Sequence, residues 1–350
     1  MKILINVPSL KLLGGVANHY LGLKNYWSNR VEYNVVGKRN NIKGSGVFWL
    51  PFDIVKFVYK LMIFRPDIVV LNPSMGKNAL MRDFIFLDIV NAFNISTAIF
   101  IHGFDVKFVK SCNAKWLSKN FNKSSLVFVL AKSFKHILTT LGVNVPMVLS
   151  STKVDDKLLE DFDVKESRLG DVKNILFLAR LEKNKGVEIA VKCYEKLKEI
   201  YPKLRMTIVG DGSMMEPIKR FITKNAILDI TLTGMLSGKN IEKAYKEADL
   251  YILPTYHAEG MPTSVLEAMA FGLPVFTRKV GGLNDFFDSD KMGFITDSLD
   301  YKDFVNAIIP YIENPTLCKK VSQFNASYAH KHFLASVVAH SIEEQLKQYV

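Results

Sequence analysis

Two acidic residues, Glu259 and Glu267, flank a turn whose sequence favours the start of a helix and the binding of a phosphate. Pro262 suits the first position of that helix. The backbone amides there, with the hydroxyls of Thr263 and Ser264, can bind phosphate at the positive end of the helix dipole. The carboxylates can accept hydrogen bonds from hydroxyl-rich groups on either side of it. This pattern predicts a sugar nucleotide as the ligand.

Basic residues in an upstream turn support the same interpretation. The apolar segment 174–179 predicts a strand, and Arg180 and Lys185 follow it in the sequence RLEKNKG. Ligands of open α/β sheets bind at the carboxyl ends of the strands. Arginine offers a fork of donors and lysine a mobile point charge, which together suit a pyrophosphate. A surface helix with a polar start is the alternative for the acidic segment alone.

Three motifs, in this order, resemble those of retaining glycosyltransferases of family 4. They are the turn from Arg180 to Lys185 and the following glycine, the Val209-Gly-Asp-Gly strand end, and a Glu-Gly-x-Pro run with its second glutamate eight positions on. The order and spacing of these motifs agree with the family pattern over residues 172–300. The N-terminal half agrees more loosely, through a Gly-Gly pair and the sequence His102-Gly-Phe-Asp.

The sequence departs from the family pattern at two places. Ala179 stands where the family usually has glycine, which is a mild change. Asn284 and Asp285 replace the usual Pro-Glu pair, so the resemblance assigns no role to them.

The resemblance implies a role for each site residue. Arg180 and Lys185 would hold the donor diphosphate, and Glu267 would bind the ribose hydroxyls. Glu259 and His102 would contact the transferred sugar. The remaining residues of the implied site are Gly14, Gly15, Gly234, Met235, Gly260, Met261, Pro262, Thr263 and Ser264.

No metal ion and no organic cofactor is expected. The two basic residues and the helix start can neutralise a departing diphosphate, which removes the need for a metal. The Asp288-Ser289-Asp290 sequence is interpreted as a solvated turn. Cys112, Cys193 and Cys318 are widely spaced and odd in number, so neither a disulfide framework nor a cysteine metal site is expected.

Length and periodicity predict an α/β protein of two domains. The chain has 350 residues with 49% apolar content, which exceeds what one compact core usually holds. Short apolar strands alternate with helices, and this order is typical of βαβ units. With the resemblance it predicts GT-B architecture: two doubly wound Rossmann-like domains facing each other across a cleft. The expected domains are an acceptor-binding domain at 1–165, a nucleotide-sugar domain at 166–330 and a final helix at 331–350 that packs back on the first domain, with a linker near Ser150–Asp171.

Charge is divided unevenly along the chain. Residues 1–150 contain 19 basic and 6 acidic residues, whereas residues 151–350 contain 27 and 28. Between Lys107 and Lys123, lysines alternate with aromatic residues such as Trp116, which suits an anionic membrane surface or a pyrophosphate-linked lipid. A solvated basic face is the alternative. No recognised nucleic-acid-binding module accompanies these basic residues, so nucleic acid is not expected as a partner.

These features predict a metal-independent retaining glycosyltransferase. It would move a sugar from a UDP- or GDP-sugar to a hydroxyl of a glycan, for example a lipid-linked intermediate of polysaccharide or lipopolysaccharide synthesis. No apolar run approaches the ~20 residues of a membrane span and no signal peptide is recognisable. A cytoplasmic protein, peripheral at the inner membrane face, is therefore expected. The alternatives are a nucleotide-sugar epimerase of the same architecture and a non-catalytic subunit that binds sugar nucleotides or glycans.

Overall fold

The computed structural model describes residues 1–11, 14–37, 48–163 and 171–350. Contacts between the described residues divide the chain into two units. The first unit comprises Met1–Lys153, Ala258–Met261 and Ala335–Val350, and the second comprises Val154–His257 and Pro262–Leu334. The predicted linker overlaps the boundary after Lys153, and its residues 164–170 lie outside the described residues.

One parallel sheet forms the centre of the first unit. Its strands within the described residues are Lys2–Val7 (β1), Arg30–Val35 (β2), Ile68–Leu71 (β3), Ser96–Ile101 (β4), Leu126–Val129 (β5) and Met147–Leu149 (β6). They lie in the order β2-β1-β3-β4-β5-β6. The middle strands are buried on both faces, which explains their continuous apolar sequences. The order reverses between β1 and β3, where such sheets bind ligands at their carboxyl edge.

Helices cover this sheet. The described ones are Gly15–Leu23 (α1), Leu50–Phe64 (α2), Lys77–Ala92 (α3), Val106–Ser111 (α4), Ala114–Phe121 (α5) and Lys132–Thr140 (α6). The helix α1 ends at Leu23, and the chain then turns towards β2.

The last helix of the chain belongs to the first unit. It spans Ala335–Lys347 and is called α14 here. Its buried Glu343 accepts hydrogen bonds from Ser28 N at 3.1 Å, Ser28 Oγ at 2.6 Å and Asn29 N at 2.8 Å. Burial would raise the pKa of Glu343, but these hydrogen bonds outweigh it and lower the pKa. The carboxylate therefore holds α14 against the segment before β2.

A second parallel sheet forms the centre of the second unit. Its strands within the described residues are Asn174–Leu178 (β7), Arg205–Val209 (β8), Ile230–Gly234 (β9), Leu250–Leu253 (β10), Val275–Arg278 (β11) and Gly293–Thr296 (β12). Their order is β12-β11-β10-β7-β8-β9, so the reversal falls between β7 and β10. The sequence did not predict β12, which is a short edge strand stabilised by its pairing with β11.

The helices of the second unit follow its strands. The described ones are Val187–Ile200 (α7), Met215–Lys224 (α8), Lys239–Glu247 (α9), Thr263–Ala270 (α10), Ser289–Met292 (α11), Tyr301–Glu313 (α12) and Pro315–His332 (α13). The predicted fold class, two doubly wound Rossmann-like domains, is confirmed. Among the described residues, no helix combines the length and the apolar character needed to cross a bilayer.

Candidate functional site

Two segments of the second unit are hydrogen-bonded to each other where its sheet order reverses. Tyr256 N donates to Asn184 O at 2.9 Å, and Asn184 Nδ2 donates to His257 Nδ1 at 2.8 Å. The strands before them, β7 and β10, are neighbours in the sheet. The turn that carries Arg180 and Lys185 is therefore held beside the loop that leads into α10.

A glycine allows this close approach. Gly186 ends the turn after β7 with φ of +80°, a backbone region that favours glycine. A Cβ at this position would lie 2.3 Å from the carbonyl oxygen of Pro254, which follows β10. Any side chain at Gly186 would push apart the two segments.

The start of α10 lies at the carboxyl end of β7. The Tyr251 hydroxyl donates to Leu178 O at 3.0 Å and lies 2.8 Å from Ser264 Oγ. The helix begins at Thr263, so Pro262 is its N-cap and not its first helical residue as the sequence predicted. The proline remains extended, with ψ of 110°, and it has no polar side chain with which to cap the helix. The first amides of α10 therefore suit an external anion.

Glu267 is the fifth residue of α10 and is half-buried. Its Oε2 accepts a hydrogen bond from the Tyr245 hydroxyl at 2.8 Å. Burial raises the pKa of Tyr245 well above its usual range, and the charge of Glu267 adds to the effect. Tyr245 therefore stays protonated and orients the carboxylate. No motif in the sequence indicates this partner, because Tyr245 lies on α9, 22 residues upstream.

The other predicted residues of the second unit lie at the same edge of its sheet. Arg180 is exposed directly after β7, and Lys185 is half-buried at the end of the turn. Gly234 ends β9 with φ of +71°, and its carbonyl accepts from Gly210 N at 2.9 Å. Met235, which follows, is 66% exposed. All four therefore lie at carboxyl ends of neighbouring or nearby parallel strands.

By their contacts, the predicted residues Glu259, Gly260 and Met261 belong to the first unit. A Cβ at Gly260 would lie 2.2 Å from His102 O, so the backbone of this segment lies directly against the residue after β4. Thr152 Oγ1 donates to Met261 O at 3.4 Å. The structure thus brings together His102 and the Glu259 segment, which are far apart in sequence.

A buried hydrogen-bond network fixes the protonation of His102. Asn72 Nδ2 donates to the backbone oxygen of Asn6 at 2.8 Å, and that oxygen can only accept. Asn72 Oδ1 therefore faces the Tyr20 hydroxyl at 2.7 Å and His102 Nε2 at 3.0 Å. Because Oδ1 is also only an acceptor, Nε2 must carry the hydrogen of the neutral ring. The lone pair of His102 is then on Nδ1.

Apolar and aromatic neighbours keep this ring neutral. It stacks on Phe100 at 4.0 Å between ring centroids and meets His19 edge-on at 4.8 Å. Burial lowers the pKa of His102 to about 3. Burial also lowers the pKa of His19 well below its usual range, with His102 and Lys153 adding to the effect. His102 can thus accept a hydrogen bond from a hydroxyl, but at neutral pH it carries no charge.

The sequence did not identify Tyr20, Asn72 or His19 as site residues. Asn72 directly follows the buried strand β3, so the rule about carboxyl ends of parallel strands would have indicated it. Tyr20 and His19 lie on α1 with no motif around them, and only the packing of α1 against β4 reveals their role.

Two glycines precede this cluster on the chain. Gly14 is the N-cap of α1 and Gly15 its first residue, and both are exposed. Apart from the adjacent residues and the helix's own backbone, no heavy atom of the described residues lies within 4 Å of the position that a Cβ would occupy at either one. This leaves the backbone open to a ligand.

Asp105 caps α4 by accepting from Phe108 N at 3.0 Å and so orders the loop after His102.

The Asp288-Ser289-Asp290 sequence forms a helix cap. Asp288 accepts from Asp290 N at 3.0 Å and pairs with Lys291 at 2.9 Å, and the hydrogen bond from Lys291 lowers the pKa of Asp288. Cys112, Cys193 and Cys318 are not joined in disulfides. In the part of the chain that the structure describes, no group of three or more His, Cys, Asp or Glu residues is arranged to hold a metal ion.

Residues 160–327 match the family described as glycosyl transferases group 1. This segment contains every predicted site residue of the second unit, from Arg180 to Glu267. The segment is therefore similar to glycosyl transferases of group 1.

The similar curated proteins include glycosyltransferases. An uncharacterised glycosyltransferase of Methanocaldococcus jannaschii is 25% identical over 61% of this chain and 56% of its own length. The amylovoran biosynthesis glycosyltransferase AmsK of Erwinia amylovora is 26% identical over 55% of this chain and 49% of its own length. The chain thus spans about half the length of these two relatives.

A solved structure matches the fold of nearly the whole chain. Anabaena HepE, in a complex with UDP and glucose, has a TM-score of 0.72 and covers 99% of both chains at 18% sequence identity. This likeness confirms the GT-B fold class.

The tautomer of His102 can be tested directly. We expect ring ¹⁵N spectra of histidine-labelled protein to show His102 as the neutral Nε2–H form between about pH 5 and 8, because burial holds its pKa near 3. Asn72→Asp should raise this pKa, since a buried carboxylate favours the imidazolium. His102→Gln identifies the resonance. An Nδ1–H form, or titration of wild-type His102 near its ordinary pKa, would contradict the network.

Proposed function

We propose that this protein is a retaining, metal-independent glycosyltransferase of family 4 type. It transfers a sugar from a nucleoside diphosphate sugar to a hydroxyl group of a glycan. The donor is a UDP- or GDP-sugar, and the acceptor is a lipid-linked intermediate of polysaccharide synthesis at the cytoplasmic face of a membrane.

One observation carries the proposal. The hydrogen bonds of Asn184 to Tyr256 and His257 hold the turn with Arg180 and Lys185 beside the segment that leads into α10. Two basic side chains and a helix start without a side-chain cap are thereby gathered at the reversal of one parallel sheet. Each of these features favours phosphate oxygens, and a diphosphate offers enough oxygens for all of them.

The remaining residues have the chemistry that the hydroxyl-bearing groups of such a donor require. Glu267, oriented by the Tyr245 hydroxyl, accepts hydrogen bonds from the ribose hydroxyls. Glu259 and His102 serve the transferred sugar. Since His102 presents the lone pair of Nδ1, its partner must be a donor such as a hydroxyl and not an anionic group. The neutral ring also avoids a strong attraction for the diphosphate that would misplace the donor.

The proposed sugar transfer develops negative charge on the departing diphosphate. The bond between the anomeric carbon and the diphosphate breaks, and a bond to the acceptor oxygen forms on the same face of the sugar. The acceptor's proton passes to the departing phosphate oxygen. Arg180, Lys185 and the first amides of α10 stabilise the negative charge on the leaving group, which lowers the barrier most where that charge is greatest. This role is one that a metal ion performs in other enzymes.

The relatives support the acceptor class. AmsK is named for amylovoran biosynthesis, which supports a polysaccharide intermediate as acceptor. HepE binds UDP and glucose, which supports a nucleotide sugar as donor. The excess of 19 basic over 6 acidic residues in positions 1–150 supports contact with an anionic membrane, where a lipid-linked acceptor would be found.

The basic pair gives the first test. Arg180→Ala and Lys185→Ala should each weaken binding of the nucleoside diphosphate at least tenfold, because a charge-assisted hydrogen bond contributes ~1.5–3 kcal/mol. Dissociation constants come from thermal-shift titrations with UDP and GDP, since ligand at a hundredfold its dissociation constant stabilises by ~2.7 kcal/mol. Lys183→Ala, an exposed lysine of the same turn, is the control and should change affinity little. Wild-type affinity in both variants would rule out the diphosphate site.

The two carboxylates should be separable. Glu267→Ala should weaken both the bare nucleotide and the nucleotide sugar, because the ribose is common to the two ligands. Glu259→Ala should leave the bare nucleotide unaffected and remove the extra affinity that the sugar supplies. Calorimetric titration of each variant with UDP and a UDP-sugar, or with GDP and a GDP-sugar, measures both. An equal loss for the bare nucleotide would show that the roles are misassigned.

Metal independence and stereochemistry have their own test. Transfer should continue in EDTA, because the positive charge opposite the leaving group comes from side chains and helix amides. The anomeric proton coupling of the product, measured by NMR, should show the configuration of the donor. Loss of transfer in EDTA with recovery in Mg²⁺ or Mn²⁺ would refute the first expectation, and an inverted product would refute the second.

A further inference from the structure

Helix α2 has an exposed apolar face. Its outward side chains Phe52, Val55, Tyr59, Met62 and Ile63 are each between 52% and 69% exposed. Their spacing of three, four, three and one residues places them on one side of the helix. The preceding Phe48 is 87% exposed and Trp49, which packs edge-on against Phe52, is 37% exposed. Scattered apolar residues are ordinary on a surface, but a continuous stripe of this size marks a contact site.

The opposite face of the same helix is already buried. Phe57, Leu61 and Phe64 lie in the core, and Phe57 meets Phe86 of α3 at 4.9 Å between ring centroids. A helix with apolar residues on both faces normally lies wholly inside a protein or a membrane. Here the inner face satisfies the fold of the first unit, so the outer stripe is not needed for folding.

The charges around the stripe indicate what it contacts. From Phe48 to Phe64 the only acidic residue is Asp53, which is buried and accepts from Gly37 N at 2.7 Å. The basic residues of this stretch are Lys56, which is half-buried beside the stripe, and Lys60, whose ammonium donates to Tyr33 O at 2.8 Å and pairs with Glu32 at 3.4 Å. The stripe therefore presents aromatic and aliphatic side chains in a half of the chain that has 13 more basic than acidic residues. This combination is typical of helices that lie in the surface of an anionic bilayer.

The segment that the sequence indicated as the membrane contact differs in this respect. Between Lys107 and Lys123, Leu117 and Phe121 are buried, and Trp116 packs against Phe84 at 5.2 Å. Its aromatic side chains therefore mainly serve the core, and its lysines supply charge without an apolar face.

We propose that α2 is the membrane-binding element of this protein, and that its exposed stripe inserts among the headgroups of a bilayer containing anionic phospholipids. The lysines of the first unit draw the protein to the surface, and the stripe holds it there by burial of apolar area. This inference deepens the proposed function, because it places the first unit at the surface where a lipid-linked acceptor would be found.

Vesicle flotation tests the proposal without any donor or acceptor. The wild type should float with vesicles of phosphatidylglycerol and phosphatidylcholine at about 0.1 M salt. Part of the binding should persist at about 1 M, where the Debye length is only ~3 Å, because burial is not screened. The variant Val55→Ser/Met62→Ser/Ile63→Ser keeps the net charge and should lower the partition coefficient at least tenfold, or about 1.4 kcal/mol.

A matched control comes from the second unit. Ile200, Leu228 and Leu299 are also large apolar side chains that are more than half exposed. Ile200→Ser/Leu228→Ser/Leu299→Ser should float as the wild type does. Thermal melts of both triple variants verify that they are folded, which is expected because the substituted side chains are exposed.

Three outcomes would overturn the proposal. One is a wild type that does not float with anionic vesicles, and another is a stripe variant that floats equally well. The third is a wild type that sedimentation shows to be dimeric, with a monomeric stripe variant, because the stripe would then bind a second copy of the chain. Nucleotide titration separates this result from the proposed function: a protein that binds UDP- or GDP-sugars but not vesicles keeps the donor site and loses only the membrane contact.

Discussion

The pairing of β7 with β10 is the constraint on which the donor end of the proposed site depends. In a parallel sheet every strand ends at the same edge, so neighbouring strands deliver their following loops to one place. Here these loops are the turn with Arg180 and the segment before α10. The hydrogen bonds of Asn184 hold the two loops together, and Gly186 has no side chain that would separate them. Positive groups from distant parts of the sequence are thus held together before any ligand arrives, which reduces the ordering cost of binding.

The candidate site residues of the first unit have a different kind of chemistry. The second unit offers charge, whereas the region around His102 offers a neutral acceptor whose orientation and tautomer are set by Asn72 and Tyr20. The orientation of Asn72 is itself set by a backbone oxygen, so the specificity of the ring rests on the geometry of β1 and β3. A neutral acceptor distinguishes hydroxyls from anions at low cost, because a mismatched partner leaves a buried group unsatisfied.

Local patterns predicted much of this architecture. The apolar segment 174–179 predicted β7 to within one residue, because a strand in the middle of a parallel sheet leaves a continuous apolar signal. The edge strand β12 left no such signal and forms through its partner. Tyr20 and Tyr245 were missed for a related reason: their roles come from contacts across many residues, and no short motif contains them. Asn72 was missed although its position directly after β3 would have indicated it. The stripe on α2 was missed because apolar residues in a sequence do not reveal which face the core will cover.

The place of the last helix has a consequence for how the protein is made. Glu343 of α14 binds Ser28 and Asn29 of the first unit. Ser28 and Glu343 are 315 residues apart in the sequence. A ribosome that adds ~5–20 residues per second needs roughly 15–60 s to cover that distance. Throughout this time the sheet of the first unit has emerged without α14, and the whole second unit is synthesised first. The N-terminal unit, first to begin folding, is thus the last to be finished, and chaperones have their longest access to the surface that α14 later covers.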